Sequence, residues 1–216
     1  MKRIEGRRIW MSVLGVLICG ACVGLFRTAA LGVDPFQSLM SGLNAVFPIS
    51  FGTLYVIVNA VLLLFSLLLD RSRIGIATLI NLTVLGYIAE YTQKAIALVL
   101  PAPNLPARLI FLFFGLGIMC FGSAMYMNAN LGVSTYDAIA LIVSERQKKL
   151  PFRLCRILTD LLCVLGGCAL FRSAGWSWRA ITAAVGPATV VTAFFMEPLI
   201  SFFAGKLPNY RAQPRR

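Results

Sequence analysis

The chain consists of long apolar blocks separated by short segments that contain proline, glycine or charged residues. Six blocks are long enough to cross a bilayer: residues 9–26, 52–69, 74–91, 109–127, 154–171 and 180–204. A helix rises about 1.5 Å per residue, so about 20 residues cross a hydrocarbon core about 30 Å thick. Because lipid offers the backbone no hydrogen-bond partners, such blocks must be helical. The pattern predicts an all-α, polytopic transmembrane helical bundle, with residues 1–216 as one integral membrane domain.

Two shorter segments interrupt this pattern, residues 35–47 and 134–143. As helices they would measure only about 15–20 Å, and they carry polar residues such as Gln37 and Asp137. Short stretches of this kind suit interfacial or re-entrant positions better than full spans. We therefore predict about six spans plus two short re-entrant helices. An arrangement with eight crossings, in which both short segments span, is the alternative.

The second half of the chain repeats the pattern of the first. Leu-Gly-Val occurs at residues 31–33 and again at 131–133, each time just before a short segment. At an offset of 100 residues, the matching pairs are Gly15 with Gly115, Ile18 with Ile118, Ala29 with Ala129 and Phe36 with Tyr136. At an offset of 101 residues, they are Phe51 with Phe152, Asn59 with Asp160 and Leu69 with Leu170. We predict two internal repeats, residues 9–92 and 109–204, joined by the proline-rich segment 100–106.

The number of spans per repeat sets the relative orientation of the repeats. Three spans each would place the second repeat upside down relative to the first, whereas four would make them parallel. The N-terminal segment resembles a secretory signal, with basic residues before an apolar run. Because it has a counterpart in the second repeat, we expect it to be retained as a span.

Composition excludes a soluble protein. Hydrophobic residues make up 59% of the 216 residues and charged residues only 13%, against about a quarter charged in soluble domains. The net charge of +12 does not indicate nucleic-acid binding, because the basic residues lie at the ends of the apolar blocks. That is where the positive-inside rule places them. The bilayer is therefore the expected partner.

The distribution of basic residues predicts the orientation of the termini. With six spans and the N-terminus inside, fifteen basic residues lie on the inner side: Lys2, Arg3, Arg7, Arg8, Arg71, Arg73, Arg146, Lys148, Lys149, Arg153, Arg156, Lys206, Arg211, Arg215 and Arg216. The outer side keeps five: Arg27, Lys94, Arg108, Arg172 and Arg179. With eight crossings, two residues on each side exchange places and the count is unchanged. Charge therefore predicts that both termini are cytoplasmic, and segment length alone favours six spans.

Residues suited to catalysis or metal binding are scarce. Histidine is absent, which removes the commonest general base and the commonest transition-metal ligand. All six cysteines fall inside apolar blocks, where a thiol behaves as a small hydrophobe. Cys19 and Cys22 have the spacing of a redox or metal motif, but no second pair accompanies them. We therefore expect no catalytic residue, no metal and no cofactor, and predict that the protein is not an enzyme.

Each short segment begins with a helix-capping pattern. Asp34 precedes Pro35 with Gln37 three residues after it, and Ser134 is followed by Asp137 three residues on. In a capping box, the first side chain accepts a free backbone N–H and the third residue bonds back to the cap. The same geometry has a functional interpretation. Two half-helix N-termini that meet at the midplane would form a site for a small polar or ionic solute.

Two further polar residues lie within the apolar blocks. Asp160 lies about a third of the way along its block, and Asn59 is its counterpart in the first repeat. A charged side chain at membrane depth costs roughly 3 kcal/mol on insertion scales, so it is normally paired or functional. Arg156 lies one helical turn away, at a spacing that supports an ion pair. Asp160 is thus either half of a structural pair or part of a polar pathway.

These motifs resemble those of the YczE/YyaS/YitT-type bacterial integral membrane protein family. The similarity rests on Leu-Gly-Val-Asp-Pro-Phe at 31–36, Phe-Gly-Thr at 51–53 and Leu-Gly-Val-Ser-Thr-Tyr-Asp at 131–137. The chain departs from the family pattern at Gln37, where an acid is expected, and at Thr135, where proline is expected. The resemblance implies a bacterial inner-membrane protein and assigns no catalytic residue or substrate.

The function predicted from these features is that of a small secondary transporter or permease. Repeats, discontinuous polar segments and buried carboxylates are typical of such proteins. The alternative is a non-catalytic membrane scaffold or regulatory partner protein that binds through its basic loop, residues 146–156. A homodimer is also compatible with the sequence. An intramembrane enzyme acting on lipid has little support without histidine or a nucleophile–base pair.

Overall fold

A computed structural model describes residues 2–71, 74–146 and 152–208. These residues form nine α-helices and no β-strand, so the predicted all-α class is confirmed. The helices are α1 (Lys2–Ala29), α2 (Pro35–Val46), α3 (Phe51–Leu69), α4 (Ile76–Val99), α5 (Leu105–Asn128), α6 (Thr135–Arg146), α7 (Phe152–Ser173), α8 (Trp178–Ala184) and α9 (Pro187–Lys206).

Five stretches of the described residues are long and apolar enough to cross a membrane. They lie in α1, α3, α5, α7 and the stretch Ile181–Lys206, which includes most of α8 and all of α9. The remaining predicted span, block 74–91, corresponds to α4, which is as long as α5 at 24 residues. It is more polar, because it carries Asn81, Glu90 and Lys94.

The last predicted span is broken, which the block 180–204 did not indicate. Helix α8 ends at Ala184 and α9 begins at Pro187, with Val185 and Gly186 between them. Proline cannot donate a backbone hydrogen bond, so it ends one helix and begins the next. The two short predicted segments are present as α2 and α6, each 12 residues long. At about 18 Å each, they are too short to cross a hydrocarbon core.

Helices α1 and α5 cross at the centre of the bundle and run antiparallel. Gly15 on α1 lies so close to α5 that a Cβ there would come within 2.6 Å of the carbonyl oxygen of Gly122. Further along α1, the Cys19 thiol lies 3.8 Å from the carbonyl oxygen of Met119. Residues further along α1 therefore contact residues earlier in α5. The two helices approach each other closely at Gly15 and Gly122, and small residues at helix contacts are common in membrane bundles.

The ends of the two central helices are capped by arginines of the opposite helix. Arg8 of α1 donates to the carbonyl oxygens of Ala129 (2.8 Å) and Asn130 (2.9 Å), at the end of α5. Arg108 of α5 donates in the same way to Ala29 and Ala30, at the end of α1. The last carbonyls of a helix have no partner within it, and basic side chains satisfy them well. The two arginines differ by 100 in residue number, and so do the carbonyl groups that they bind.

The first Leu-Gly-Val segment is extended and packs into the break between α8 and α9. The backbone N–H groups of Gly32 and Val33 donate to Ala183 (3.1 Å) and Ala184 (3.2 Å), and the carbonyl oxygen of Leu31 accepts from Ala188 (3.0 Å). These bonds satisfy irregular backbone on both sides, which a membrane environment requires. Gly32 has φ +110°, and a Cβ on it would come within 2.7 Å of the amide nitrogen of Gly186. Only glycine fits there without strain.

The second Leu-Gly-Val segment packs against the start of α4 in the same manner. The carbonyl oxygen of Leu131 accepts from Ala77 (3.0 Å), and Thr78 Oγ1 donates to the carbonyl oxygen of Val133 (2.7 Å). Gly132 has φ +119°, and a Cβ on it would lie 2.5 Å from Thr78 Oγ1. Each extended segment therefore packs against a helix of the other half of the chain.

The short helices also pack across the two halves. Helix α2 packs closely on α7, since a Cβ on Gly42 would come within 2.7 Å of the carbonyl oxygen of Gly167. Helix α6 packs on α3, where Thr135 Oγ1 donates to Asn59 Oδ1 at 2.5 Å. The extended segments and the short helices together bring the N-termini of α2 and α6 to the middle of α1 and α5.

Candidate functional site

A polar cavity of about 90 Å³ lies between the N-termini of α2 and α6. Its walls come from the middle of α1 and α5 and from α3, α4, α7 and α9. The lining residues are Cys19, Val23, Asp34, Phe36, Gln37, Tyr55, Asn59, Asn81, Leu85, Met119, Ser123, Tyr126, Ser134, Tyr136, Asp137, Arg156 and Met196. Polar residues that are far apart in the sequence are thus gathered at the centre of an apolar bundle.

At the α2 end of the cavity, one half of the predicted capping box is present. Asp34 Oδ1 accepts the backbone N–H of Gln37 at 3.1 Å, with Pro35 in the first turn. The other half is absent. Gln37 Oε1 and Asp34 Oδ2 are buried and have no hydrogen-bond partner among the described residues. The two residues are 4% and 9% exposed, so both leave an acceptor atom buried beside the cavity without a donor.

At the α6 end, the equivalent residues are fully hydrogen-bonded. The backbone N–H of Asp137 donates to Ser134 Oγ (3.1 Å), and that hydroxyl donates to Asp137 Oδ2 (2.7 Å). Tyr126 OH donates to the same carboxylate oxygen at 3.0 Å and accepts the backbone N–H of Ser134 at 3.3 Å. The tyrosine therefore takes the place that the predicted capping box gave to Asp137.

Arg156 on α7 is the counter-ion at the α6 end. Its guanidinium forms a hydrogen-bonded ion pair with Asp137. Its Nε lies 3.4 Å from Asp160 Oδ1, and the guanidinium carbon lies 4.6 Å from the centre of the Tyr136 ring. The sequence predicted a pair between Arg156 and Asp160 only. In the structure Arg156 also pairs with Asp137, so one guanidinium contacts two carboxylates.

Asp160 of α7 and Asn59 of α3 both accept hydrogen bonds from side chains in the first turn of α6. Tyr136 OH donates to Asp160 Oδ1 at 2.5 Å. Asn59 accepts from Thr135 and donates through Nδ2 to the carbonyl oxygen of Tyr55 at 2.8 Å. Both side chains thus bind the first turn of α6.

Aromatic rings form one wall of the cavity. Phe36 of α2 stacks on Tyr136 of α6 with ring centres 4.8 Å apart and planes 22° apart. The edge of Phe36 faces Tyr55, with ring centres 6.1 Å apart. Phe36 and Tyr136 are counterparts in the predicted repeats, so the two short helices meet through equivalent residues.

The sequence-predicted site residues come together. Asp34, Gln37, Asn59, Ser134 and Asp137 line the cavity, whereas Asp160 contacts it through Tyr136 and Arg156.

Sequence analysis missed the tyrosines and assigned Arg156 only to a pair with Asp160. Tyr136 was noted only as the counterpart of Phe36. Tyr55 and Tyr126 lie in apolar blocks, where nothing in the sequence distinguishes them from packing residues. Their contacts depend on which helices are neighbours, which the sequence did not give.

The cysteines in the described residues are all free. Cys19 lines the cavity, where its thiol lies 3.4 Å from Ser123 Oγ. In the part of the chain that the structure describes, there is no group of three potential ligands that could hold a metal ion. Cys19 and Cys22 are both buried, as expected for packing residues.

A second cavity, of about 220 Å³, lies near the C-terminal end of α1. Arg27 contributes to its wall, with Nε donating to Gln93 Oε1 at 2.7 Å and Nη1 donating to Ser41 Oγ at 3.4 Å. The guanidinium also lies 3.8 Å from the centre of the Phe51 ring. This cavity differs from the central one in its charge, since its ionisable group is a cation.

The fold and the cavity define a multi-pass α-helical membrane protein in which two short helices meet at a central polar site. Residues 6–205 match the family of unknown function DUF6198. The chain therefore belongs to that family.

Three curated relatives are similar to most of the chain. The uncharacterized protein YyaS of Bacillus subtilis is 24% identical over 63% of this chain and 68% of its own length. An uncharacterized protein of Haemophilus influenzae is 28% identical over 65% of this chain and 62% of its own length. The uncharacterized membrane protein YczE of Bacillus subtilis is 25% identical over 61% of this chain and 60% of its own length.

These matches confirm the resemblance to the YczE and YyaS proteins, and the chain spans about 60–68% of the length of these relatives. No solved structure matches the chain. Together with the apolar helices, the similarity to a membrane protein places this chain in a membrane.

Proposed function

We propose that the protein is a small secondary transporter that carries a small polar or ionic solute across the bacterial inner membrane. The observation that carries the proposal is the central cavity, which lies between two short-helix N-termini and is lined by buried polar groups. Secondary transporters bind substrates near the midplane, at discontinuous helices of this kind. Burying three carboxylates in an apolar bundle without a function would be costly.

The proposed framework is a pair of inverted repeats, residues 9–92 and 109–204, with six spans and two re-entrant helices. Two kinds of contact support it. The Arg8 and Arg108 caps are equivalent and connect antiparallel helices. The two Leu-Gly-Val segments make equivalent contacts with α9 and α4. An odd number of spans per repeat produces this antiparallel arrangement.

Inverted repeats allow alternating access by small movements of one bundle against another. Helix α2 packs on α7 and α6 packs on α3, so each short helix belongs to a pair drawn from both repeats. Movement of one pair relative to the other would open the cavity to one side of the membrane or the other. Both termini are cytoplasmic in this proposal; residues 209–216 and several of the basic residues counted for it lie outside the described residues.

Transport is tested in proteoliposomes. Purified protein would be reconstituted and exposed to a panel of labelled amines, amino acids, carboxylates and inorganic ions. Asp137→Asn and Asp160→Asn should reduce uptake of the transported solute at least tenfold, because each removes a negative charge that pairs with Arg156 beside the cavity. Glu5→Gln, at an exposed position outside the cavity, should leave uptake unchanged. Saturable uptake that all three variants retain would contradict the site.

The orientation is tested by labelling single cysteines from outside the cell in a cysteine-free background. With six spans, Ala102→Cys should react with a membrane-impermeant maleimide and Arg71→Cys should not. With eight crossings the two results are exchanged. Both positions are exposed, so access to the reagent depends on the side of the membrane and not on burial.

The scaffold alternative gains no support from the structure. It rests on the basic loop 146–156, and residues 147–151 of that loop lie outside the described residues. A homodimer likewise stays a prediction.

A further inference from the structure

We propose that the central cavity binds a small protonated amine, with the carboxylate of Asp34 as its counter-ion and the amide oxygen of Gln37 as a second acceptor. As an assignment of transported substrate, this inference rests on the proposed function. As an assignment of ligand, it stands on the cavity alone.

The first step concerns the hydrogen-bond donors around the cavity. The hydroxyls of Tyr126 and Ser134 donate to Asp137, and that of Tyr136 donates to Asp160. The hydroxyl of Tyr55 lies 3.4 Å from Asn81 Oδ1. These tyrosine and serine donors are therefore already used within the protein.

The second step concerns the acceptors. Asp34 Oδ2 and Gln37 Oε1 are buried and have no donor among the described residues. Both residues line the cavity and are more than nine-tenths buried. A buried acceptor without a donor costs about 1–3 kcal/mol, and more when it is charged. No donor of the described residues is bonded to these two atoms, so a ligand that supplies N–H groups would satisfy them.

The third step is the charge. The cavity region contains three carboxylates, Asp34, Asp137 and Asp160, and one guanidinium. Arg156 contacts Asp137 and Asp160, and Asp34 has no ion pair within the described ranges. An anionic ligand would add to this excess of negative charge, whereas a monovalent cation would offset it. A divalent cation is a poor fit, because Ca²⁺ and Mg²⁺ need about six or more oxygen ligands.

The fourth step is size and surroundings. A cavity of about 150 Å³ holds benzene, with its six carbon atoms, so about 90 Å³ limits the ligand to fewer than about six non-hydrogen atoms. The rings of Phe36, Tyr55 and Tyr136 meet beside the cavity. Aromatic faces attract organic cations, which favours an amine over a hydrated metal ion. Ammonium, methylammonium and ethylammonium have the required size and donors.

Binding is measured on the whole purified protein in detergent, by thermal unfolding with the chloride salts of ammonium, methylammonium, ethylammonium, tetraethylammonium, sodium and potassium at matched ionic strength. A ligand that binds only the folded protein raises the unfolding temperature, and the rise grows with the logarithm of the ligand concentration relative to Kd. We expect stabilisation by the small amines and none by sodium, potassium or tetraethylammonium, which is too large. Asp34→Asn should weaken amine binding at least tenfold, and Glu5→Gln should not change it.

Competition of the same cations against labelled methylammonium, on the wild-type protein, should show the same dependence of binding on ligand size. This measurement does not depend on any variant folding. Equal effects of sodium and the amines, no effect of the amines, or unchanged binding in a folded Asp34→Asn variant would each overturn the inference. The two proposals fail separately. Amine binding without uptake would overturn transport only, whereas uptake of another solute without amine binding would overturn the amine assignment only.

Discussion

The N-termini of α2 and α6 both border the central cavity but differ in their chemistry. At α6, the carboxylate of Asp137 is bound by Ser134, Tyr126 and Arg156. At α2, the carboxylate of Asp34 caps the helix through one oxygen and leaves the other without a partner among the described residues. One end is thus a closed polar network, and the other keeps acceptors available.

The difference shows how one architecture can supply both a rigid support and a binding surface. Fully satisfied buried networks hold a single geometry, whereas unsatisfied buried groups cost free energy until a ligand arrives. We infer that the α6 end fixes the shape of the cavity and that the α2 end provides its affinity. The predictions below test that division, and all are measured as free energies of unfolding in mixed micelles by titration with SDS.

The largest loss of unfolding free energy is expected when the guanidinium of Arg156, which pairs with the carboxylates at the α6 end, is removed. Arg156→Met would leave Asp137 and Asp160 without a counter-charge. Breaking a buried ion pair costs about 3–5 kcal/mol, and the side chain is 32% exposed, so we expect about 3 kcal/mol. The matched control is Arg71→Met, an exposed position where we expect a change of less than about 0.5 kcal/mol. Equal losses would mean that the α6 network does not stabilise the fold.

A smaller loss of unfolding free energy, equal at the two sites, is expected from substituting the glycine of each Leu-Gly-Val segment. Gly32→Ala and Gly132→Ala would each place a Cβ within 2.7 Å of neighbouring atoms at a positive φ. Strain of this kind costs about 1–3 kcal/mol, and we expect about 2 kcal/mol at both positions. Gly117→Ala has nothing within 4 Å and should be neutral or slightly stabilising. Unequal losses would show that the two segments do not share one structural role.

Removing the hydroxyl of Tyr136 measures how much one hydrogen bond of the α6 network contributes to stability. Tyr136→Phe removes the donor to Asp160 and keeps the ring that stacks on Phe36. Hydrogen bonds to charged groups contribute about 1.5–3 kcal/mol, so we expect a loss of about 1.5 kcal/mol. Tyr91→Phe, at an exposed tyrosine, is the control and should cost almost nothing. A loss as small as that of the control would mean that Asp160 is supported by Arg156 alone.

Much of the fold was predictable because the bilayer imposes strong rules on sequence. Long apolar blocks predicted the long helices, and the capping patterns at Asp34 and Ser134 marked the starts of α2 and α6 within one residue. The break between α8 and α9 was missed. Gly186 and Pro187 mark it, but the apolar block continues through it. The carbonyls exposed by the break are satisfied by Gly32 and Val33, which lie about 150 residues earlier in the chain.

The site was predictable in its polar residues and not in their partners. A carboxylate in an apolar block is conspicuous, so Asp160 stood out, and the capping pattern after Leu-Gly-Val marked Asp137. Tyr126 looks like any other aromatic residue in a membrane helix. Its role depends on the extended segment 130–134 returning Ser134 towards it, which is a tertiary contact. The exchange of short helices between the two halves was hidden for the same reason.

The smallest effect is expected at Asp34, whose carboxylate makes fewer hydrogen bonds than that of Asp137. Asp34→Asn keeps the capping oxygen, and asparagine caps helices about as well as aspartate. It also removes a buried charge that has no ion pair in the described ranges. We therefore expect a change of less than about 0.5 kcal/mol, against a loss of about 2 kcal/mol for Asp137→Asn, which weakens the pair with Arg156. Asp34→Ala, which loses the cap, should cost about 1 kcal/mol. If Asp34→Asn cost as much as Asp137→Asn, the carboxylate of Asp34 would be part of the support of the fold, and the division between a rigid end and a binding end would fail.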